Sequence, residues 1–168
     1  MNSTLTAFDT TLRDGRVVHI RAMHPSDEAE MLQAFERMGP DARYMRFMRA
    51  VREPNLVQVR KVLASFPEGG IGIVATVPAA DGIDIAGSAV AIIGNDPAVC
   101  EFAITVAAEF GGAGLATALM TALIAAAKGR GLKQMEGFVL AVNRSMLRLA
   151  TRLGFYITRD PDDPTLRI

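Results

Sequence analysis

Four residues, Gly111-Gly112-Ala113-Gly114, stand between an apolar, β-branched run that ends at Val106 and a helical pattern that begins at Leu115. A helix N-terminus leaves backbone N–H groups unpaired and carries partial positive charge, so a glycine-rich turn leading into one is a candidate anion site. The same glycines also suit a tight turn that binds nothing and uses only their φ freedom. A P-loop requires Gly-Lys-Ser/Thr, whereas Gly114 is followed by Leu115-Ala116, which excludes it. A dinucleotide fingerprint requires a further Gly or Ala three residues on and an acid closing the next strand; Thr117 and Asn143 occupy those places. No G-x-S-x-G supports a Ser-His-Asp enzyme, and no His/Cys/Asp cluster has metal-ligand spacing, so no metal is expected. His19 and His24 lie far from the loop and read as structural, and Cys100 reads as a small core residue.

The elements that must hold this loop follow from composition and periodicity. The chain has 168 residues, half of them hydrophobic, enough for one domain, expected over residues 12–168, behind a polar tail at residues 1–11. Eighteen basic against eighteen acidic side chains leave no net field for nucleic acid or an anionic membrane. One cysteine closes no intrachain disulfide, the N-terminus lacks a signal-peptide pattern, and residues 115–127 are shorter than the ~20 a membrane span needs. A cytoplasmic protein is expected. Residues 17–23 read as a strand introduced by the turn Asp14-Gly15. Pro25-Ser26-Asp27-Glu28 opens a helix that Ser26 can cap, with Ala29, Leu32, Phe35 and Met38 on one face and Gly39-Pro40 as its stop. Two short helices are expected between Asp41 and Phe66, the clearer carrying Leu56, Val59, Leu63 and Phe66. Residues 71–77, 85–93 and 99–106 form an antiparallel meander. Leu115, Leu119, Leu123 and Ala126 mark a helix whose many alanines predict close approach to a sheet. A strand over residues 135–142, a helix from Asn143 to Arg152 stopped by Gly154, and a strand over residues 155–158 complete the order.

The segment from Thr105 to Met120 resembles the strand, bulge, loop and helix that bind acetyl-CoA in the GNAT acyltransferase superfamily, whose loop reads Q/R-x-x-G-x-G/A. Gly114 and Ala116 match its last two positions, and Gly111 stands where Gln or Arg is usual. The segment from Asn143 to Phe155 resembles the second signature, an Asn opening a helix that ends in Leu-Gly-Phe. Leu12-Arg13-Asp14-Gly15, Ile20-Arg21, Pro25-Ser26-Asp27-Glu28 and Arg43-Tyr44-Met45-Arg46-Phe47 resemble the catalytic domain of bacterial Pat-type protein-lysine acetyltransferases. The resemblance implies an α/β (α+β) fold, with a central mixed, mostly antiparallel twisted sheet flanked by helices. It also implies transfer of an acetyl group from acetyl-CoA to a primary amine, expected to be a protein lysine. A small-molecule amine as acceptor, or a degenerate acyl-CoA-binding regulatory module, are the alternatives. A homodimer is one option for its assembly.

By that resemblance Ile104, Thr105 and Val106 line the pantetheine arm, and Gly111, Gly112, Ala113, Gly114, Leu115 and Ala116 hold the diphosphate. Asn143 would hydrogen-bond the arm, and would equally serve as an N-cap. A lysine amine titrates near ~10.4, so holding it neutral at pH 7 costs roughly 4.6 kcal/mol and a general base is required. Glu101, ten residues before Gly111, stands close to where protein-acetylating relatives place a catalytic glutamate; a solvated strand-end carboxylate is its other reading. Glu109 reads as solvent-facing. Relatives often use a tyrosine to protonate the departing thiolate where this chain has Ala150, and Ser145 or Tyr156 are the nearby hydroxyls. Asp160, Asp162 and Asp163 form an acidic turn able to steer a cationic substrate.

Overall fold

The computed structural model describes residues 6–36, 56–66, 68–79, 82–140, 143–159 and 165–167. The Asp14-Gly15 turn reverses the chain as expected, but between two strands rather than after a tail: β1 (Phe8–Thr11) pairs antiparallel with β2 (Val17–Ala22). Part of the segment expected to be loose is therefore ordered. Phe-Asp-Thr-Thr lacks the apolar alternation that marks a half-buried strand; backbone pairing and the 2.7 Å contact of His19 Nδ1 with Asp9 Oδ1 hold it instead.

The meander forms as its turn residues dictate. β3 (Gly70–Ala79), β4 (Gly82–Ile93) and β5 (Val99–Val106) run antiparallel in sequence order, β2 joins β3, and β6 (Gln134–Glu136) adds in parallel beside β5. The result is a six-stranded mixed sheet in the order β1-β2-β3-β4-β5-β6. The strand expected over residues 135–142 breaks at Gly137, and its second part, β7 (Phe138–Leu140), enters a separate sheet with β9 (Thr165–Arg167) and β8 (Thr158–Arg159). The strand expected over residues 155–158 begins late, at Thr158, and Phe155 ahead of it packs its ring against Phe102, centroids 5.3 Å apart.

Helices cover both faces of the sheet. On one face α3 (Leu115–Gly129) buries Leu115, Leu119, Met120 and Leu123. The strand beneath is cut back to Gly87, Ala89 and Ala91, and a Cβ on Gly87 would lie 3.0 Å from Leu119 Cδ1. Close approach thus comes from small residues on β4 as well as from Ala122 and Ala126 of the helix; Ala125 is exposed. The other face carries α1 (Glu28–Glu36) and α2 (Leu56–Ser65), with Met23, Leu63, Val74 and Ile85 buried between them and the sheet. Arg60 Nε donates to Glu28 Oε1 at 2.7 Å and ties the two helices. The second short helix expected before Leu56, the stop at Gly39-Pro40 and the acidic turn Asp160, Asp162, Asp163 lie outside the described residues. Among the described residues no helix is long and apolar enough to cross a membrane.

The entry to α1 is closed by Asp27 rather than by Ser26. Its carboxylate accepts the His24 amide at 2.8 Å and both guanidinium nitrogens of Arg21, at 2.9 and 2.7 Å. Burial alone would raise the Asp27 pKa, but the Arg21 and His24 hydrogen bonds outweigh it and hold the carboxyl below its ordinary value of 3.8. Asp27→Asn leaves Arg21 half-buried without its counter-ion and should cost about 3 kcal/mol in urea unfolding at pH 7. Because the folded pKa is depressed, this contribution is complete above the unfolded value near 3.8 and is lost as pH falls through the folded one, so the difference between variant and wild type should shrink in acid. Gly137→Ala would set a Cβ 2.4 Å from Phe102 Cε1, inside a ring already packed on Phe155. That overpacking should lower stability by about 1–3 kcal/mol in the same measurement.

Candidate active site

Strands β5 and β6 share three registered pairs, Val99 with Gln134, Cys100 with Met135 and Glu101 with Glu136. Opposite the next residue of β5, Phe102, the neighbouring chain has Gly137, and the Phe102 ring occupies the space a side chain there would need. The chain then turns away into β7, so β5 runs on from Phe102 to Val106 with one edge uncovered by β6. Pairing with β4 fixes which backbone groups face that edge. Ala107 N–H donates to Ala86 O at 2.8 Å, continuing the register of Val106 with Gly87. Hydrogen-bonded and non-bonded pairs alternate along an antiparallel ladder, so Thr105, Ala103 and Glu101 are bonded to β4 while Ile104 and Val106 turn their amides and carbonyls outward. An extended, amide-bearing ligand finds a strand edge there. Thr105 has its backbone committed to β4, and offers this edge no amide.

Beyond Val106 a 3₁₀ turn (Ala108–Phe110) leads into the glycine loop. Gly112 and Gly114 both adopt positive φ, +75° and +90°, which favours glycine at each. Ala118 N–H makes the first helical bond, to Gly114 O at 3.1 Å, so the amides of Leu115, Ala116 and Thr117 lie ahead of the helical ladder. No side chain caps Gly114, and these amides with the dipole behind them form a small electropositive cradle. Leu115 contributes backbone alone, since its side chain is buried beneath α3. Ala113 is buried and its carbonyl is taken, while Gly111 and Gly112 are exposed. The loop and the open edge of β5 are continuous in the chain, and their geometry suits a diphosphate followed by an extended amide arm.

The loop is braced by a feature the sequence did not connect with it. The turn between β1 and β2 docks on it: Arg13 N–H donates to Ala113 O at 3.0 Å, and the Arg16 guanidinium donates to Glu109 O at 2.8 Å while lying 4.0 Å from the Phe110 ring centroid. Arg16 is itself fixed by Asp14, whose Oδ2 accepts its Nε–H at 2.8 Å. The hydrogen bonds from Arg16 pull the Asp14 pKa below its ordinary value. The signal in the sequence was Leu12-Arg13-Asp14-Gly15, a stretch notable only as a turn and as a subgroup resemblance.

Glu101 is exposed and is the last residue of β5 to pair with β6, at the apex where the strands part. Its neighbour Cys100 points the other way, is buried, and has its thiol pKa raised by that burial. Glu136, which no motif in the sequence marks, is Glu101's register partner and stands on the same sheet face, so two carboxylates share the apex. Asn143 caps α4 (Arg144–Arg152) through Oδ1, which accepts Met146 N–H at 3.4 Å. Ala150 is fully buried, Ser145 is exposed, and Tyr156 is 89% exposed, so neither hydroxyl occupies the Ala150 position. Glu109 faces solvent, as expected. Among the described residues no group of three or more His, Cys, Asp or Glu side chains could hold a metal ion.

The family described as "Acetyltransferase (GNAT) domain" matches residues 18–156. An acetyltransferase of Pseudomonas aeruginosa is 32% identical over 155 residues, covering 92% of this chain and 83% of its own. The GNAT domain of S. lividans PAT superposes with a TM-score of 0.86 at 22% identity, covering 96% of this chain and 94% of its own. The yncA protein of Salmonella typhimurium, solved with its cofactor acetyl-CoA, superposes at 0.67 with 17% identity, covering 90% and 92%.

The cradle yields a direct test. Gly114→Glu forces a side chain into a residue at φ +90° and places a carboxylate beside the loop amides and Arg13, filling the anion site from within. Acetyl-CoA binding measured by calorimetry should be lost, and an unchanged affinity would remove the loop from the cofactor site.

Proposed function

The chain belongs to the GNAT acetyltransferase family, and from that premise we propose that it transfers the acetyl group of acetyl-CoA to a primary amine, the side chain of a protein lysine. The observation that carries the cofactor part is the continuous surface formed by the open edge of β5 and the uncapped start of α3. Bound acetyl-CoA supplies the thioester. The chain's own contribution is to hold the diphosphate on amides at residues 112–116, align the arm along the outward amides and carbonyls of Ile104 and Val106, and direct an amide at the thioester carbonyl. Asn143, at the start of α4 beyond β7, keeps its side-chain N–H group for the arm while its oxygen caps the helix.

Glu101 is the general base in this reading. About 10 Å of strand separates it from Ile104, so it takes the ammonium proton through an intervening water rather than by direct contact. Glu136 beside it adds negative charge that favours a cationic acceptor at the apex of the notch. With Ala150 in place of a hydroxyl, the departing thiol leaves as a thiolate, at modest cost because such a thiol titrates near a cysteine's ~8.5. The support for a protein lysine as acceptor is the set of Pat-like motifs in the sequence, of which Arg21 and Asp27 meet as an ion pair with the carboxylate buried.

Turnover followed by free-thiol release, against a panel of proteins and small amines, tests the reading. Release with proteins and not with small amines is expected; the reverse makes the enzyme a small-amine acetyltransferase, and release with neither makes it a binding module. Glu101→Gln should lower turnover by about 10²-fold or more while leaving acetyl-CoA affinity nearly intact, with partial recovery as pH rises and free amine accumulates. Equal turnover at neutral pH would return Glu101 to the solvent.

A further inference from the structure

We propose that Arg13 is a ligand for the cofactor's diphosphate, supplying from the β1–β2 turn the cationic or polar side chain that the loop lacks at Gly111. The inference rests on the acetyl-CoA reading of the loop and adds to it a residue outside both signature segments.

Position comes first. A Cβ built on Gly114 would lie 3.2 Å from Arg13 Nε, 3.7 Å from its terminal nitrogen Nη2 and 3.8 Å from Cζ. The guanidinium therefore stands at the mouth of the cradle, beside the amides that open α3. The backbone that carries it is anchored beside the loop, because Arg13 N–H is bonded to Ala113 O one residue before Gly114. The turn carrying it is fixed as well: Leu12 N–H donates to Arg16 O at 2.7 Å, Gly15 N–H donates to Leu12 O at 3.0 Å, and the Leu12 side chain is buried.

Charge comes second. The nearest carboxylate in sequence, Asp14, is engaged by Arg16, and no ion pair involves the Arg13 guanidinium among the described residues. Among the described residues a full positive charge thus faces the positive end of a helix with no counter-ion paired to it. Such a juxtaposition is unfavourable until an anion sits between the two, and a guanidinium and a row of amides together match phosphate oxygens better than either does alone. Arg16 is placed differently. It is bound to Asp14 and Glu109 O and lies against the Phe110 ring, so it braces the loop.

The same geometry explains why Gly114 must lack a side chain. Besides its φ of +90°, a Cβ there would lie tight against the guanidinium and shift it by a few tenths of an ångström.

The test measures Kd by calorimetry for three ligands, acetyl-CoA, acetyl-3′-dephospho-CoA and S-acetylpantetheine, on wild type, Arg13→Ala and Arg13→Gln, with thermal unfolding recorded for each. Loss of a charge-assisted contact should weaken acetyl-CoA by roughly 10- to 100-fold in both variants. The same factor is expected for acetyl-3′-dephospho-CoA, which keeps the diphosphate, and none for S-acetylpantetheine, which lacks it. The factor should fall in high salt, because the contact is exposed. Adding Gly111→Arg to Arg13→Ala should recover part of the loss. Equal Kd values for acetyl-CoA in wild type and both variants overturn the proposal. A loss that vanishes with the dephospho ligand also overturns it, by moving Arg13 to the 3′-phosphate, and an equal loss for all three ligands assigns Arg13 to loop structure alone. Wild type that binds none of the ligands, or Gly114→Glu that binds as wild type does, would fall instead on the cofactor reading beneath.

Discussion

Phe102 and Gly137 impose the constraint from which the site follows. Two parallel strands would ordinarily keep pairing for as long as both are extended, because an unpaired backbone edge forfeits hydrogen bonds. Here a buried aromatic ring stands where the next side chain of the neighbouring strand would project, and that residue is glycine. The ring is braced from behind by Phe155, so it cannot swing aside cheaply. The strands part, leaving outward amides and carbonyls on Ile104 and Val106, carrying β5 into the loop that starts α3, and leaving Glu101 and Glu136 at the point of separation. A local packing choice between two residues decides where an otherwise ordinary sheet acquires an edge.

The β1–β2 turn meets a second requirement. A loop with Gly111, Gly112 and Gly114 has more conformational freedom to lose on ordering than one built of residues with side chains, and a ligand that had to order it would bind more weakly. Hydrogen bonds from Arg13 to Ala113 and from Arg16 to Glu109 fasten the loop at both ends before any ligand arrives. Part of the entropy is therefore lost during folding rather than binding. The glycines supply the backbone angles the cradle needs, and the turn restrains the mobility that those glycines would otherwise bring.

The features legible in the sequence were those written locally. The meander could be read from β-branched runs separated by Asp81-Gly82 and Asn95-Asp96-Pro97, α3 from its spacing of leucines, and the loop from its glycines ahead of Leu115. The features that escaped depend on pairings that no local pattern announces, whether the partners are near in the chain or far. β1 carries no apolar alternation and exists because β2 offers it a partner. The break at Gly137 sits inside an apolar run and becomes visible only when Phe102, 35 positions earlier, is placed opposite. Arg21 and Asp27 both lie within the Pat-like motifs, yet nothing in their spacing of six announces a bidentate pair between a strand and a 3₁₀ turn. Arg13 stands 101 positions before Gly114, and its place beside the cradle follows from tertiary docking alone.

Cys100 gives the molecule an internal clock. It is the chain's single thiol, 1% exposed, on β5 at the register point next to the parting of the strands. A small alkylating reagent reaches it only when β5 and its neighbours separate transiently, so the labelling rate counts how often that part of the sheet breathes. Ligands that lie along β5 should make such openings rarer, and slower alkylation in their presence would reveal occupancy of the site without any turnover.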